Sequence, residues 1–558
     1  MPCASSSVNQ WSVGQGKTRK LQQVLVVTSA LLLGLVTQAS TLAEGDSAPS
    51  ASVPSCQLTV QDTHGTALGG AMVTYALDQA RRVTRFTPSS GSIILDKQAC
   101  LPHTTITVRY PGYAATSLTS DASGAPSVAR LSAHPNPLVQ VTSDQWLSLL
   151  PEGDDKREFI VNCGTCHEIS HDRVMLNGQP RSADDWLAAI TAMRAMDVYE
   201  VIPPDFDDKR IAQWLAAHLT NDRISTLAPS KPTDPDTLAA LEITEYELPT
   251  AMSLPHDLVI GPDQHIWITA FLNDALWVLD PETGHIKTLE VDSRPTINAQ
   301  PRALEFDPAG TLWLVNGGTE SVLRVNPNTG DYTEIPVGMY AHSIDIGPDG
   351  RVWVNDYFSA SERLAVIDPS DLSVTIVPVP PANRPHSEGL PLPYGLQVDS
   401  VGRVYSTQLA ANTLVSHHSQ TGDNALFIMP QANSGPRRPG LDNKDGLWIP
   451  EFNTGYVTHF DPLTSTFKRV SLGNSALGLY DVEVNQRTND VWASAALASG
   501  LVRYEPATQR TLHVPLPTEP AYTRHLAVDE ATGDIWSAYS SLPPADPKAV
   551  RIRIRSTP

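Results

Sequence analysis

Basic residues are scarce in this chain: 39 Lys and Arg stand against 60 Asp and Glu among 558 residues, a formal charge of −21. That shortage argues against a nucleic-acid partner, whose phosphates call for Lys/Arg surfaces, and against adhesion to anionic lipid. Long apolar runs are scarce too. The one candidate, Val24 to Val36, covers too little of a ~30 Å hydrocarbon core to make a good transmembrane helix, and no later stretch is apolar enough to cross a membrane. Cysteine is limited to five, and no fingerprint for a nicotinamide or flavin cofactor occurs. Hydrophobic residues, at 41%, leave apolar surface for several cores and exclude wholesale disorder. The length predicts about three domains.

Lys17, Arg19 and Lys20 precede the apolar run, and small residues follow it at Thr37-Gln38-Ala39 or Thr41-Leu42-Ala43. This is the layout of a secretory signal with its processing region over 1–43, and it predicts a periplasmic or secreted protein with no stable membrane insertion after cleavage. An uncleaved anchor is the alternative. Loss of 1–39 removes three basic and no acidic side chains, leaving 36 against 60, or −24. Cys3 leaves with the signal, and Cys163 and Cys166 form a close pair. Cys56 and Cys100 remain for a disulfide in an oxidising compartment, or stay as two thiols.

The expected fold class is multidomain: an all-β sandwich, a small all-α unit and a β-propeller. Over 56–133, short alternating runs such as Gln57 to Val60, Ala71 to Tyr75 and Ile106 to Tyr110 are separated by turn residues, which predicts a small antiparallel sandwich. The run Asp62-Thr63-His64-Gly65-Thr66-Ala67-Leu68, with Ala71-Met72-Val73 and Tyr110-Pro111-Gly112-Tyr113, resembles the carboxypeptidase regulatory-like family, which implies a spacer or adhesive module. Over 143–222 the spacing turns helical, with apolar stripes at Gln145–Leu150, Lys156–Val161, Ala183–Met193 and Asp208–Leu219. From 240 to 555 an aromatic recurs at Trp267, Trp313, Trp353, Tyr405, Trp448, Trp492 and Trp536, at spacings of 46, 40, 52, 43, 44 and 44. Around most of them lies a Pro-Asp-Gly-like turn before the aromatic and Asp-Pro after it. A period near forty with about four strands per repeat predicts a propeller, here of seven blades, with the recurring aromatics as packing between blades. Ile243 to Leu248 looks like the last strand of a blade, and pairing it with the final repeat would close the ring.

Cys163-Gly164-Thr165-Cys166-His167 carries the attachment signature of c-type haem, in which two thiols bind the vinyl groups and the histidine ligates iron. A CxxC redox pair and structural zinc, for which His171 offers one further ligand nearby, are the competing readings. A thioether sixth ligand raises the potential. Met193 and Met196 lie where a short cytochrome would supply it, with Met175 a poorer third choice. The segment, through Cys163 to His167, Arg181, Asp185-Trp186 and Met193-Arg194, resembles the haem-binding domain of the quinohaemoprotein amine dehydrogenase α subunit, which implies Met193 as the iron ligand. One covalent haem c is the expected cofactor, and an external redox carrier an expected partner.

Counting equally outward from each Pro-Asp-Gly-like turn predicts pairs at one mouth of the propeller: His256 with Ala270, Arg302 with Asn316, His342 with Asp356, Tyr394 with Gln408, Arg437 with Glu451, Tyr480 with Ala495 and Arg524 with Tyr539. The first members form a ring without an aliphatic residue, a polar cup suited to a small-molecule ligand. A solvated funnel with local ion pairs, notably Arg437 with Glu451, is the alternative. His342 beside Asp356 is the expected base, and Arg302, Arg437 and Arg524 would bind a carboxylate or an oxyanion. His256 is a second acid, or a metal ligand with Asp356 or Glu451.

Leu254-Pro255-His256-Asp257-Leu258, Pro393-Tyr394-Gly395-Leu396 and the Ile266-Trp267-Ile268-Thr269 type of strand resemble the streptogramin B (virginiamycin B) lyase family over about 240–550. That resemblance implies two histidines and a glutamate near the last two blades that, with magnesium, open a cyclic depsipeptide by elimination. In this chain the matching places hold Tyr480, Arg524 and Tyr522, with His525 one residue out of register. Three functions are therefore expected in order: a haem-linked oxidoreductase acting on a small molecule at the mouth, a magnesium-dependent C–O lyase, and a non-catalytic binding or sensing module.

Overall fold

The computed structural model of the chain describes residues 18–20, 56–120, 127–164, 168–195, 206–291, 297–358, 362–380, 392–541 and 545–555. The signal-like segment lies outside them apart from Thr18–Lys20, a short strand set antiparallel on Asp331–Pro336. No helix among the described residues is long and apolar enough to cross a membrane.

From residue 241 onward the chain is β-rich, in seven four-stranded antiparallel arrays. The strands that open them are Pro255–Ile260, Pro301–Phe306, Ala341–Ile346, Pro393–Val398, Gly440–Leu441, Leu479–Val484 and Tyr522–Val528. They neighbour one another in that order and the last adjoins the first, a propeller-like arrangement around a central channel. The hairpins after these opening strands owe their shape to local chemistry. Asp307 accepts from the backbone N–H groups of Ala309 and Thr311 at 3.0 and 2.8 Å and from the Trp313 indole at 3.0 Å. The turn then needs a left-handed residue, supplied by Gly310 at φ +81° and, in the next repeat, by Gly350 at +80°.

The recurring aromatics are buried between neighbouring sheets. Trp267 shares a core with Leu304 and Leu312, Trp313 with Ile344 and Val354, and Trp353 with Leu396 and Val404. Tyr405 packs with Leu447, Trp448 with Val482, Trp492 with Leu526, and Trp536 with Leu258. The packing thus runs once round the circle and returns. Leu241–Glu247 pairs antiparallel with Lys548–Ile554, from Leu241 with Ile554 to Glu247 with Lys548, so the first strand after the linker completes the last sheet.

The other edge of Leu241–Glu247 is not exposed, because Arg81–Phe86 pairs with it. One face of the N-terminal unit, Arg81–Phe86, Met72–Ala76, Thr105–Arg109 and Thr116–Thr119, thereby extends the last sheet to eight strands. Its other face holds Ser92–Leu95, Cys56–Asp62 and Val128–Leu131. Cys56–Asp62 and Val128–Leu131 run parallel, a departure from the expected antiparallel sandwich that a hairpin-by-hairpin reading misses, since these two strands are the first and last of the unit. Cys56 and Cys100 are joined in a disulfide.

Residues 143–239 are mainly helical: Ser143–Ser148, Asp154–Cys163, His171–Val174, Ala183–Ala195, Asp208–His218, Asn221–Ile224 and Pro235–Ala239. Side chains cap the longer ones. Ser182 and Asp185 exchange bonds at the start of Ala183–Ala195, and Asp207 accepts from the Arg210 N–H at 3.0 Å. The apolar stripes meet in a core of Trp146, Phe159, Ile160, Trp186, Ile190, Ile211 and Leu215.

Candidate functional site

The hairpins pair one residue earlier than equal counting predicts. Pro255 opposes Ala270, Pro301 opposes Asn316, Ala341 opposes Asp356, Pro393 opposes Gln408, Pro436 opposes Glu451, Leu479 opposes Ala495 and Thr523 opposes Tyr539. The cause is a register shift just after this pair in six of the opening strands, such as between Pro255 and Leu258, where two residues oppose one. The bulge bends the strand and turns the residue after the proline or its equivalent into the mouth.

The predicted ring is brought together there. His256 and His342 lie with ring centroids 6.2 Å apart, His342 and Tyr394 4.2 Å, and Tyr394 and Tyr480 5.7 Å. Arg437 lies 5.0 Å from the Tyr394 ring and 4.3 Å from that of Tyr480. Arg302 lies over Phe271 and Tyr340 at 4.8 and 5.1 Å, and Arg524 over Tyr522 at 4.6 Å.

Two predicted partnerships are replaced. Asp356 does not orient His342: its Oδ2 takes the Arg363 Nε–H at 2.7 Å, since the pairing of Asn355 with Leu364 brings Arg363 beside it in the next strand. Glu451 is likewise claimed by Arg469, at 2.9 and 2.6 Å, and by the Thr454 and Thr458 hydroxyls, instead of Arg437. The imidazole that does meet a carboxylate is His256, whose Nδ1 lies 2.6 Å from Asp257 Oδ1. Asp257 in turn pairs with Arg438. Burial pushes the His256 imidazole down to about 3, so it is neutral at ordinary pH. Burial pushes Asp257 up, but Arg438, His525 and His256 outweigh it and hold the carboxyl well below its usual range. Asp257 and Arg438 were not singled out from sequence. The signal was present, since each directly follows a ring member.

His342 is fully buried, and its Nδ1 faces the Tyr394 carbonyl oxygen at 2.9 Å. A carbonyl only accepts, so Nδ1 carries the proton and Nε2 is a bare acceptor, with no partner among the described residues. The Tyr394 and Tyr480 hydroxyls are hydrogen-bonded to each other. Burial pushes both phenols up, but at Tyr480 the charges of Arg437, Arg524 and Arg438 prevail, so Tyr480 is the more acidic of the pair.

One layer further into the channel, a cavity of about 250 Å³ is lined by Asp257, Glu305, Asp345, Arg438, Asp481, Glu483 and His525 among others. Burial pushes Glu305 up to about 8 and Asp345 to about 7. Asp481, Glu483 and His525 bring ligand atoms within 4.8 Å of one another and could hold a cation. The places that the resemblance matches to two histidines and a glutamate hold neither imidazole nor carboxylate: Tyr480, Tyr522 and Arg524 offer two phenols and a guanidinium, which repels a cation.

The helical unit sits on the mouth. Its core is continuous with Tyr394, Phe452, Tyr480, Leu497 and Tyr522. The Tyr522 hydroxyl donates to the Gly164 carbonyl at 3.3 Å, Asn474 to Asp144 at 2.7 Å and buried Lys156 to Ser475 at 3.0 Å. Cys163 ends its helix buried in this shared core, and Met193 packs against it. Cys166, His167 and Met196 lie outside the described residues. The surroundings fit a haem: the core is apolar, and the indole N–H groups of Trp146 and Trp186 are buried there without an acceptor among the described residues. Cys163, with Cys166, would carry the thioethers, and His167 with Met193 would ligate the iron.

Fold and site together define a β-rich, propeller-like protein with a helical unit seated on one mouth of its channel. No protein-family model matches the chain, and no curated protein matches it. Among solved structures it is similar to virginiamycin B lyase from Staphylococcus aureus, at 17% identity over 56% of this chain and 99% of that one, with a TM-score of 0.49. A streptogramin B lyase is similar at 18% identity, over 56% and 98%, also with a TM-score of 0.49. Hydrazine synthase from Kuenenia stuttgartiensis is similar at 14%, over 52% and 94%, with a TM-score of 0.42. At such values the likenesses carry no argument of their own, and the arrangement rests on the seven sheets described above.

Proposed function

We propose that the chain is an exported haem c protein whose seven sheets close into a seven-bladed propeller, and that it moves electrons between a small molecule bound at the mouth and an external redox carrier. The observation that carries this reading is the meeting of Tyr522 with Gly164, which sets the residue next to Cys163 beside the ring, against Tyr480 and Arg524. A haem tethered at Cys163 would supply one-electron redox chemistry within reach of a ligand in the cup. His256, fixed by Asp257, and Tyr480, acidified by its guanidinium neighbours, are placed to hold or move a proton of that ligand. The Cys56–Cys100 disulfide supports an oxidising compartment, and the acidic surface suits a basic carrier.

A pyridine haemochrome assay and a dithionite difference spectrum test the cofactor, and Cys163→Ala with Cys166→Ala should abolish both signals. Stopped-flow reduction of the haem by candidate small molecules tests the reaction; a haem that no ligand of the mouth reduces, or a blank haemochrome, overturns the reading. A magnesium-dependent C–O lyase is the second reading, favoured by the donor set of Asp481, Glu483 and His525. Magnesium-dependent ring opening of a depsipeptide that survives loss of Cys163 would establish it. Tight binding with neither activity would leave a sensing module.

A further inference from the structure

The mouth holds more positive charge than its own side chains answer. Arg524, 5% exposed, lies over Tyr522, forms no ion pair among the described residues, and has its Nη1 buried without a hydrogen-bond partner. Arg302 donates to the Tyr340 hydroxyl at 3.2 Å and is otherwise surrounded by the Phe271, Tyr340 and Tyr357 rings, again with no carboxylate. Asp356 and Glu451, which stand opposite the ring in their hairpins, are taken by Arg363 and Arg469, and Asp257, next to His256, is taken by Arg438. Arg302 is half-buried and Arg524 buried, and a guanidinium taken out of water without an anion is costly, so such a group is ordinarily matched by one. His342 lies against the same Tyr357 ring as Arg302, at 4.9 Å, and presents the bare Nε2 lone pair. That atom asks for a donor. An ammonium would meet the field of Arg302, Arg437 and Arg524, whereas a hydroxyl would not.

We propose that the mouth binds a small hydroxycarboxylic acid, its carboxylate on Arg302 and Arg524 and its hydroxyl donating to His342 Nε2. This names the substrate class of the site above and rests on that reading of the mouth as the ligand site. The aromatic walls of Phe271, Tyr340 and Tyr357 would exclude water and so strengthen the charged contacts.

Calorimetry on the haem-loaded protein with glycolate, lactate and malate, and with acetate as the analogue lacking the hydroxyl, tests it. At least one hydroxy acid should bind at least about tenfold more tightly than acetate, the loss expected when a buried acceptor is left unmade. Arg302→Gln should weaken that acid by about tenfold or more, and His342→Phe should erase its advantage over acetate. The difference in thermal shift between hydroxy acid and acetate on the unmodified protein reads the same preference without any variant. Equal binding of acetate and hydroxy acids, or binding of none, overturns the proposal. So does a fall in haem midpoint potential on Arg524→Gln with no hydroxy-acid binding, which would assign the guanidinium to a haem propionate. Binding that never reduces the haem would leave this inference standing and sink the redox reading.

Discussion

Replacing Arg438 with methionine separates the charge of the channel lining from its packing. Arg438 and Asp257 are 6% and 2% exposed and form an ion pair, while Asp257 also holds His256 Nδ1 and donates its backbone N–H to Thr269 Oγ1 at 2.8 Å. Methionine keeps most of the apolar stem but leaves the carboxylate buried beside a neutral imidazole. Breaking one side of such a pair destabilises by about 3–5 kcal/mol, whereas exchanging both sides for neutral groups is nearly free. Arg438→Met should therefore lower the urea midpoint strongly, and Arg438→Met with Asp257→Asn should recover most of the loss. The dependence on pH fixes the cause. A carboxyl held below its ordinary value stabilises above about pH 3.9, the unfolded value, and that stabilisation is lost as the pH falls through the folded value. Without Arg438 burial prevails, the carboxyl is raised, and its penalty is greatest at neutral pH. The deficit of the single variant should thus shrink below about pH 4. Tryptophan fluorescence in urea at pH 7 and pH 3.5 reads both effects. A single variant that loses under about 1 kcal/mol at pH 7, or a double variant no better than the single, would refute the reasoning.

His256 and His342 are both held neutral by burial, so the folded state resists protons that the unfolded chain accepts below about pH 6.5; stability should fall there by up to about 1.4 kcal/mol per pH unit for each. His342→Leu should remove one such increment, read from urea midpoints at pH 5, 6 and 7. Glu305 has the opposite sign: raised to about 8, it gives stability that is full below about pH 4.3 and lost as the pH rises through 8, so Glu305→Gln should flatten the alkaline loss. Trp313→Ala, in the core between the second and third sheets, should cost about 3–5 kcal/mol in the same assay.

Much of the fold was legible because it is written in near neighbours. The strand alternation, the Asp-led turns with a left-handed residue such as Gly310, and the helix caps at Ser182 and Asp207 all act within a few residues. The period of the aromatics gave the sheet count, and the pairing of Leu241–Glu247 with Lys548–Ile554 followed from one strand too many at the start. The ring members were legible for the same reason, since each occupies one position of a repeat. Their partners were not. A one-residue bulge shifts six of the hairpins, Asp356 and Glu451 fall to Arg363 and Arg469, and His256 finds Asp257 instead.

By itself the sequence determined what recurs at short range: the repeat, its turns, the close cysteine pair followed by histidine, and the excess of acid over base. Only the tertiary structure decided that the helix ending at Cys163 rests on the ring, through Tyr522 and Gly164, 358 residues apart. It also decided that Arg81–Phe86 covers the edge of the last sheet. Such encounters depend on which apolar faces are left over once each unit has folded, and local pattern carries no record of where two such faces will meet.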